Sequence, residues 1–247
     1  MAAEYPPRIS LIVPAFNEEA YLPRLLDSVR VARASYRDGP DAIEIIVADN
    51  QSTDRTAEIA RARGCRVVSV EKRVIAAARN GGAAEARGSV LAFVDADMRI
   101  HPQTFNAVDE AMSQERFVAG ATGVTLERWS LGLALIFAMF LPLAWLTRMD
   151  TGVVFCRRED FVRIDGYNEA RRYAEDVQFL LDLRRLGRRR GQRLVRLRPV
   201  KAIASTRKFD KYGDWHYFTW LPRVLLKTLV SPGTLKQFVD RYWYRDR

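Results

Sequence analysis

Along the first hundred residues, short apolar runs alternate with stretches of helical spacing. Residues 9–13 are continuously apolar but for Ser10 and end at Pro14, as a buried strand would. Beyond Asn17-Glu18-Glu19, the apolar positions Leu22, Leu25, Leu26 and Val29 mark one face of a helix. Residues 43–48 form a second strand-length run, which ends in Asp49-Asn50-Gln51-Ser52-Thr53-Asp54. Asp54 is a suitable N-cap for a following helix, and Gly64 a suitable stop. A third strand is expected over 65–70, an Ala-rich helix over 75–87 closed by Gly88, and a fourth strand over 89–94 that ends in Asp95-Ala96-Asp97.

This β-α-β-α-β-α-β order predicts an α/β protein with a Rossmann-like, mostly parallel central sheet flanked by helices. Polar residues follow three of the strands, at Asn17, Asp49 and Asp95. Ligands of open parallel sheets bind beyond the carboxyl ends of the strands, so these three positions point at one crevice.

After residue 100 the alternation breaks. The pattern predicts a helix over 104–112, a strand-like stretch over 117–127, a strand over 151–156 and a short helix over 159–165 ended by Gly166. A longer helix is expected from near Glu175 to about Leu186, before Gly187. The chain then turns very basic, with Arg188, Arg189, Arg190, Arg193, Arg196 and Arg198 close together. Residues 129–145 carry no charge. They are slightly short for a membrane span and are interrupted by Pro142, so a buried or amphipathic helix is the first reading and a helix lying in the lipid interface the second.

Length and charge narrow the picture. At 247 residues and 48% hydrophobic composition, the chain can bury one large α/β core. A formal net charge of +10 favours anionic partners, whether nucleic acid, an acidic membrane face or a phosphorylated small molecule. Cys65 and Cys156 each stand in a strand-like stretch, which fits thiols buried in a reducing cytoplasm. The first seven residues hold no apolar core of signal-peptide length, so secretion is not expected.

Asp95-Ala96-Asp97 is the sharpest chemical feature. Two carboxylates one residue apart at the end of a buried strand are costly unless a cation joins them. A hard divalent cation with oxygen ligands, shared with a diphosphate, would neutralise charge on a leaving group. The alternative is that Asp97 caps a turn.

Four blocks, LIVPAFNEE at 11–19, VADNQSTD at 47–54, AAARNGGAAEARG at 76–88 and VDAD at 94–97, together resemble glycosyltransferase family 2. DGYNE at 165–169 and AEDVQFLLDLRRLG at 174–187 resemble that family's acceptor-side carboxylate motif. The resemblance implies a single GT-A domain, with a nucleotide-sugar-binding half over about 1–100 and an acceptor half over about 101–247. It further implies a nucleoside-diphosphate sugar donor, UDP- before GDP-, a Mg²⁺ or Mn²⁺ cofactor, and inversion at the anomeric carbon. Carried over, Pro14, Ala15, Phe16 and Asn17 form the first base-binding loop, with Phe16 placed to stack on the nucleobase and Glu18 nearby. Asp49 accepts a hydrogen bond from the base, and Arg79 lies beside the nucleotide and its phosphates. Asp95, with Ala96 beside it, lies near the ribose and metal, and Asp97 holds the metal. Glu175 and Asp176 match the acidic pair, with Asp176 as general base.

Each assignment has a plainer rival. Glu18 could be a first-turn helix charge, Asp49 a turn residue, Glu175 and Asp176 helix-start acids, and Arg79 a surface charge. Lys72 and Arg73 could touch the nucleotide or form a solvated pair. Many relatives carry glycine where Gln51 and Val74 stand, which bears on how closely the backbone approaches the nucleotide. The QXXRW motif of processive synthases and a terminal pair of membrane helices are not found, so a single transfer per encounter is expected. His216, among the aromatics of WHYFTW, is a candidate third metal ligand or an aromatic packing residue, and His101 reads as a loop residue. Arg207, Lys208 and Lys211 could close over the diphosphate. Alternatively, these charges could join Trp215, Tyr217, Trp220, Tyr242, Trp243 and Tyr244 on an anionic membrane. The expected partners are thus the donor and an acceptor, lipid-linked among other candidates, with peripheral membrane contact in the cytoplasm at the inner face. Nucleic acid is not expected, because Asp49, Asp95 and Asp97 would repel its phosphates. A nucleotidyltransferase would carry a Gly-rich phosphate loop where PAFNEE stands.

Overall fold

Strand β1 (Ile9–Ala15) is buried along its whole length because its side chains are enclosed on both faces. Leu11 and Val13 enter one core, while Ile12 enters the other, the two-residue alternation of a strand covered on both sides. The computed structural model describes residues 6–147, 152–171, 174–216 and 218. Around β1 the chain builds a seven-stranded sheet in the order β3-β2-β1-β4-β6-β5-β7. Its strands are β2 (Ile43–Asp49), β3 (Arg66–Ser69), β4 (Val90–Phe93), β5 (Phe117–Leu126), β6 (Val154–Arg157) and β7 (Arg193–Ala204). The β1–β2, β1–β4 and β2–β3 pairs are parallel, whereas β6 runs antiparallel to both β4 and β5.

Two helical layers cover the sheet. Leu22, Leu25 and Val29 of α1 (Leu22–Ala34) and Phe105 and Val108 of α4 (Thr104–Met112) share one core. Ala76, Ala77 and Ala83 of α3 (Ile75–Ala84) share the other with Phe179, Leu180 and Leu183 of α7 (Glu175–Arg188). Helix α3 lies very close to the sheet because it carries Gly82 where a Cβ would stand 2.5 Å from Ile12 Cγ2. The short helices α2 (Thr56–Ala62) and α6 (Arg158–Arg163) complete this layer structure. Asp54 is not the N-cap of α2: Arg55 holds that position without a side-chain cap bond, and Asp54, one residue earlier, accepts from Thr56 N through Oδ1 at 2.9 Å.

The chain divides into two compact units. One holds residues 1–125 and 148–204, so it takes in residues from both sides of position 100; the other holds 126–147 and 205–247. In the second unit, α5 (Leu131–Thr147) and α8 (Arg207–Tyr212) are joined through Arg128, whose guanidinium donates to Asp210 at 2.7 Å and to Asp214 at 2.7 and 3.1 Å. The uncharged segment is thus helical over most of its length. Tyr217, Trp220 and the aromatics at 242–244 lie outside the described residues.

Three boundaries differ from the sequence pattern. Helix α3 stops at Ala84 rather than Gly88, since the Gly88 amide is drawn to Ser10 Oγ at 2.8 Å and Glu44 Oε1 at 3.1 Å. Gly187 does not end α7. It lies inside the helix, where a Cβ would meet Val118 Cγ1 at 2.7 Å, and the stop is Gly191, in the left-handed region at φ +69°, with Gln192 N donating to Gly187 O at 2.8 Å. The basic stretch after residue 188 contains strand β7, whose charges disguise it in the sequence. As an edge strand it tolerates Arg193, Arg198 and Pro199 on its exposed positions and buries Leu194, Val200 and Ala202.

Close packing of α3 on β1 makes Gly82→Ala an overpacking change. It is expected to lower stability by about 1–3 kcal/mol in chemical denaturation, because the Ile12 methyl and the sheet beneath it leave little room for the added carbon.

Candidate active site

The carboxyl ends of β2, β1 and β4 lie side by side, because the parallel register pairs Ala15 with Asp49 and Ile12 with Phe93. Two loops leave this edge and are tied to each other. Asn17 sits in the left-handed region at φ +52°, a conformation Asn tolerates, and its Oδ1 accepts from Thr53 N at 2.8 Å while its amide donates to Ser52 Oγ at 3.0 Å. Pro14 and Ala15 are buried, and Phe16 is half-buried beneath the Arg73 guanidinium, 4.1 Å from the ring centroid. Glu18 is not a first-turn helix charge. It precedes α1 and is 2% exposed, its amide donating to Thr56 Oγ1 at 2.8 Å. Asp49 Oδ1 accepts from Ser52 N at 3.3 Å, a turn contact made by one oxygen. Gln51 is held at φ +64°, a conformation that favours glycine on steric grounds, whereas Val74 is extended at φ −141° and has no such need.

Arg79 is not on the surface. It projects from α3 into the sheet edge with its side chain 4% exposed, and three carboxylates surround it. Nη2 donates to Asp95 Oδ1 at 2.9 Å and to Asp176 Oδ2 at 3.1 Å, and Nη1 donates to Glu175 Oε1 at 2.9 Å. Nη1 also stands 2.7 Å from Asp176 Oδ1, but without the alignment of a hydrogen bond, so this buried oxygen has no donor. The guanidinium packs over the Tyr167 ring, 5.1 Å from its centroid, and that ring stacks on Phe179 at 4.0 Å. Three acids against one cation leave an excess of negative charge in a poorly hydrated place. Burial therefore raises the Asp176 carboxyl to about 7, with Glu175 and Asp95 adding to the shift and Arg79 opposing it.

Sequence reasoning placed Arg79, Asp95, Glu175 and Asp176 near the reaction, and the fold brings these four into one cluster. It missed the segment that supports them. Asn80, next to Arg79, accepts from Tyr167 N at 2.9 Å and donates to Tyr167 O at 2.9 Å and Glu169 Oε1 at 3.0 Å. Lys72 is not a solvated partner of Arg73 but pairs with Glu169 Oε2 at 2.6 Å. The signal was present in the Asn of ARN and in the Tyr and Glu of DGYNE, two motifs far apart in the chain that the sequence alone does not connect. Ala174, immediately before the acidic pair, lies at φ +52°, an uncommon conformation for alanine.

For a metal, Asp95 and Asp97 offer hard oxygen donors at the end of β4, where Met98 N donates to Asp95 O at 3.1 Å and closes the turn between them. Among the described residues no group of three or more His, Cys, Asp or Glu stands ready to hold an ion. A donor set of one or two carboxylates suits Mg²⁺ or Mn²⁺ completed by substrate phosphates and water. His216 belongs to the smaller unit. Its Nδ1 is 2.6 Å from Gly213 O, and its ring lies 5.2 Å from Phe209 and 5.7 Å from Tyr212.

Comparison with known proteins identifies the scaffold. A mannosyltransferase from Pyrobaculum calidifontis, solved with GDP-Man and Mn²⁺, superposes with a TM-score of 0.63 at 21% identity, over 81% of this chain and 57% of that one. Glucosyl-3-phosphoglycerate synthase from Mycobacterium tuberculosis, solved with Mn²⁺, UDP and phosphoglyceric acid, superposes with a TM-score of 0.59 at 23% identity, over 91% of this chain and 78% of that one. At these identities the likeness establishes the fold, which is GT-A. In sequence, the undecaprenyl-phosphate 4-deoxy-4-formamido-L-arabinose transferase of Pseudomonas paraeruginosa is 34% identical over 120 residues, or 46% of this chain. The match spans 34% of that relative's length. The family description "Glycosyl transferase family 2" matches residues 10–192, most of the chain, which therefore belongs to glycosyltransferase family 2.

Proposed function

We propose that this chain transfers a sugar from a nucleoside-diphosphate donor, UDP- before GDP-, to an acceptor hydroxyl or phosphate, with a divalent metal and with Asp176 as general base. The observation that carries this reading is the buried cluster in which Arg79 gathers Asp95, Glu175 and Asp176 at the sheet edge. Its excess negative charge suits a cation and a proton acceptor together.

In this reading Phe16 and Asp49 hold the base and Asp95 the ribose. Asp97, with Asp95, holds Mg²⁺ or Mn²⁺, which when bound supplies counter-charge to the departing diphosphate. The contacts of His216 favour a packing role. Asp176 takes the acceptor proton as the acceptor oxygen attacks the anomeric carbon from the face opposite the leaving group, which inverts that centre. A base near pH 7 suits this task, because it is substantially ionised yet still basic enough to receive the proton. Glu175 and Asp95 keep Arg79 in place, and Arg79 in turn keeps Asp176 from rising further. A lipid-linked acceptor is supported by the relative named for undecaprenyl phosphate. A cytoplasmic setting is in keeping with the two buried free cysteines.

Calorimetric titration of UDP and of GDP, each with and without Mn²⁺, tests the donor site. UDP is expected to bind in the presence of metal and to lose that binding in Asp97→Ala; absence of binding by either nucleotide would overturn the reading. For the base, Asp176→Asn is expected to lower kcat by roughly 10²–10⁴-fold while donor affinity stays near that of the parent. The parent rate should climb with pH through about 7 and level off above it, as Asp176 loses its proton. A profile flat from pH 5 to 9 would remove Asp176 from this role. Arg79→Met leaves three acids without their counter-ion and is expected to cost about 3–5 kcal/mol of stability, measured by urea unfolding. Such a loss should shrink markedly at low pH, where the acids are neutral.

A further inference from the structure

We infer that the smaller unit docks on an anionic lipid surface through the exposed face of α5. The inference rests on surface chemistry rather than on the transfer reaction, and it would give the proposed enzyme a membrane-resident acceptor.

Helix α5 buries Gly132, Leu133 and Ile136 and turns its other side outward. Leu131, Leu135 and Met139, each four residues from the next and so in line on one face, are 69%, 47% and 48% exposed. Ala134 and Ala138 lie exposed between them, and Trp129, 53% exposed, stands just ahead of the helix. Across residues 129–139 there is no charge to interrupt this apolar strip. A run of this kind is unusual on a surface that meets only water. No described helix is long and apolar enough to cross a membrane, so the strip suits a helix that lies along the interface.

Charge selects the occupant. The smaller unit holds ten Lys and Arg against five Asp and Glu, half of the chain's net charge of +10. Lys211 and Tyr212 of α8 are exposed, as is Trp215 beyond it, and Trp and Tyr suit the headgroup level. A second copy would bring the same positive charge toward itself, whereas an anionic bilayer offers the complement to both the apolar strip and the cations. Gly132 lets α5 approach the turn after α8, a Cβ there standing 2.8 Å from Asp214 O, so the strip and α8 belong to one local arrangement.

The test is co-sedimentation of the full chain, without donor or metal, on phosphatidylcholine vesicles with and without phosphatidylglycerol. The parent should pellet with the mixed vesicles, bind far less to phosphatidylcholine alone and be released by high salt. Leu135→Asp, at an exposed position, should weaken partitioning by roughly tenfold or more. The milder Leu131→Gln should weaken it to a smaller extent, with melting temperature and UDP binding kept as checks on folding. A parent that stays in the supernatant with mixed vesicles overturns the inference, as does a Leu135→Asp protein that binds like the parent. Light scattering that shows a dimer broken by Leu135→Asp would assign the strip to a second copy instead. None of these outcomes depends on catalysis, so failure here leaves the transfer reading standing, and the reverse holds too.

Discussion

A guanidinium removed from water at the edge of a sheet needs its counter-charges delivered by the fold, and Arg79 imposes that demand here. Its charge comes from α3, and the acids that answer it come from the loop after β4 and from the first turn of α7. Withdrawing α3 would leave the carboxylates without their counter-ion, at a cost of several kcal/mol, and withdrawing α7 would leave Arg79 with Asp95 alone. The ion cluster therefore works as a registration device as well as a site. It sets where α7 begins relative to the sheet, and with it the height of Asp176 above the strand ends.

The same cluster bears on the role proposed for Asp176. Ion pairing with Arg79 alone would depress a carboxyl, yet burial and two neighbouring acids outweigh it and leave the group near neutrality. Tyr167 contributes the floor. Its ring is stacked on Phe179 and set edge-on to Phe93 at 5.2 Å, so the face under Arg79 cannot easily shift. Asn80 holds the backbone of that tyrosine through both its N–H and its C=O, and Lys72 and Asn80 together hold Glu169. Sites of this kind depend on a supporting ring of groups that fixes the reacting ones to within a fraction of an ångström.

The two loops after β1 and β2 are organised by short polar contacts rather than by apolar packing. Asn17 exchanges hydrogen bonds with Ser52 and Thr53, and the Glu18 and Glu19 amides donate to Thr56 Oγ1 and Asp54 Oδ2, across the space between β1 and β2, which draws the two strand ends into one rim. Gln51 bears the steric cost of that rim at φ +64°. The smaller unit follows different physics, with an apolar helix anchored by the Arg128 ion pairs and an outer face that has no charge along it.

Much of this was legible in the residues alone. Alternating strand and helix periods, with polar residues after three strands, determine a parallel sheet with a site at its carboxyl edge, because burial on two faces leaves a local imprint on the chain. The acidic motifs at 95–97 and 175–176 stood out by their composition and by their resemblance to a family, and the proposed chemistry starts from them. What only the tertiary structure decided is which groups meet. Arg79 in an Ala-rich helix could equally face water, Gly187 could equally end a helix, and an arginine-rich edge strand has no hydrophobic signature to announce it. Contacts such as Asn80 with Tyr167, or Arg79 with Asp176, join residues separated by 87 and 97 positions, and spacing within a motif holds no information about such distances. The raised Asp176 carboxyl is of the same kind, since burial and neighbouring charge are properties of the folded neighbourhood and not of the residue.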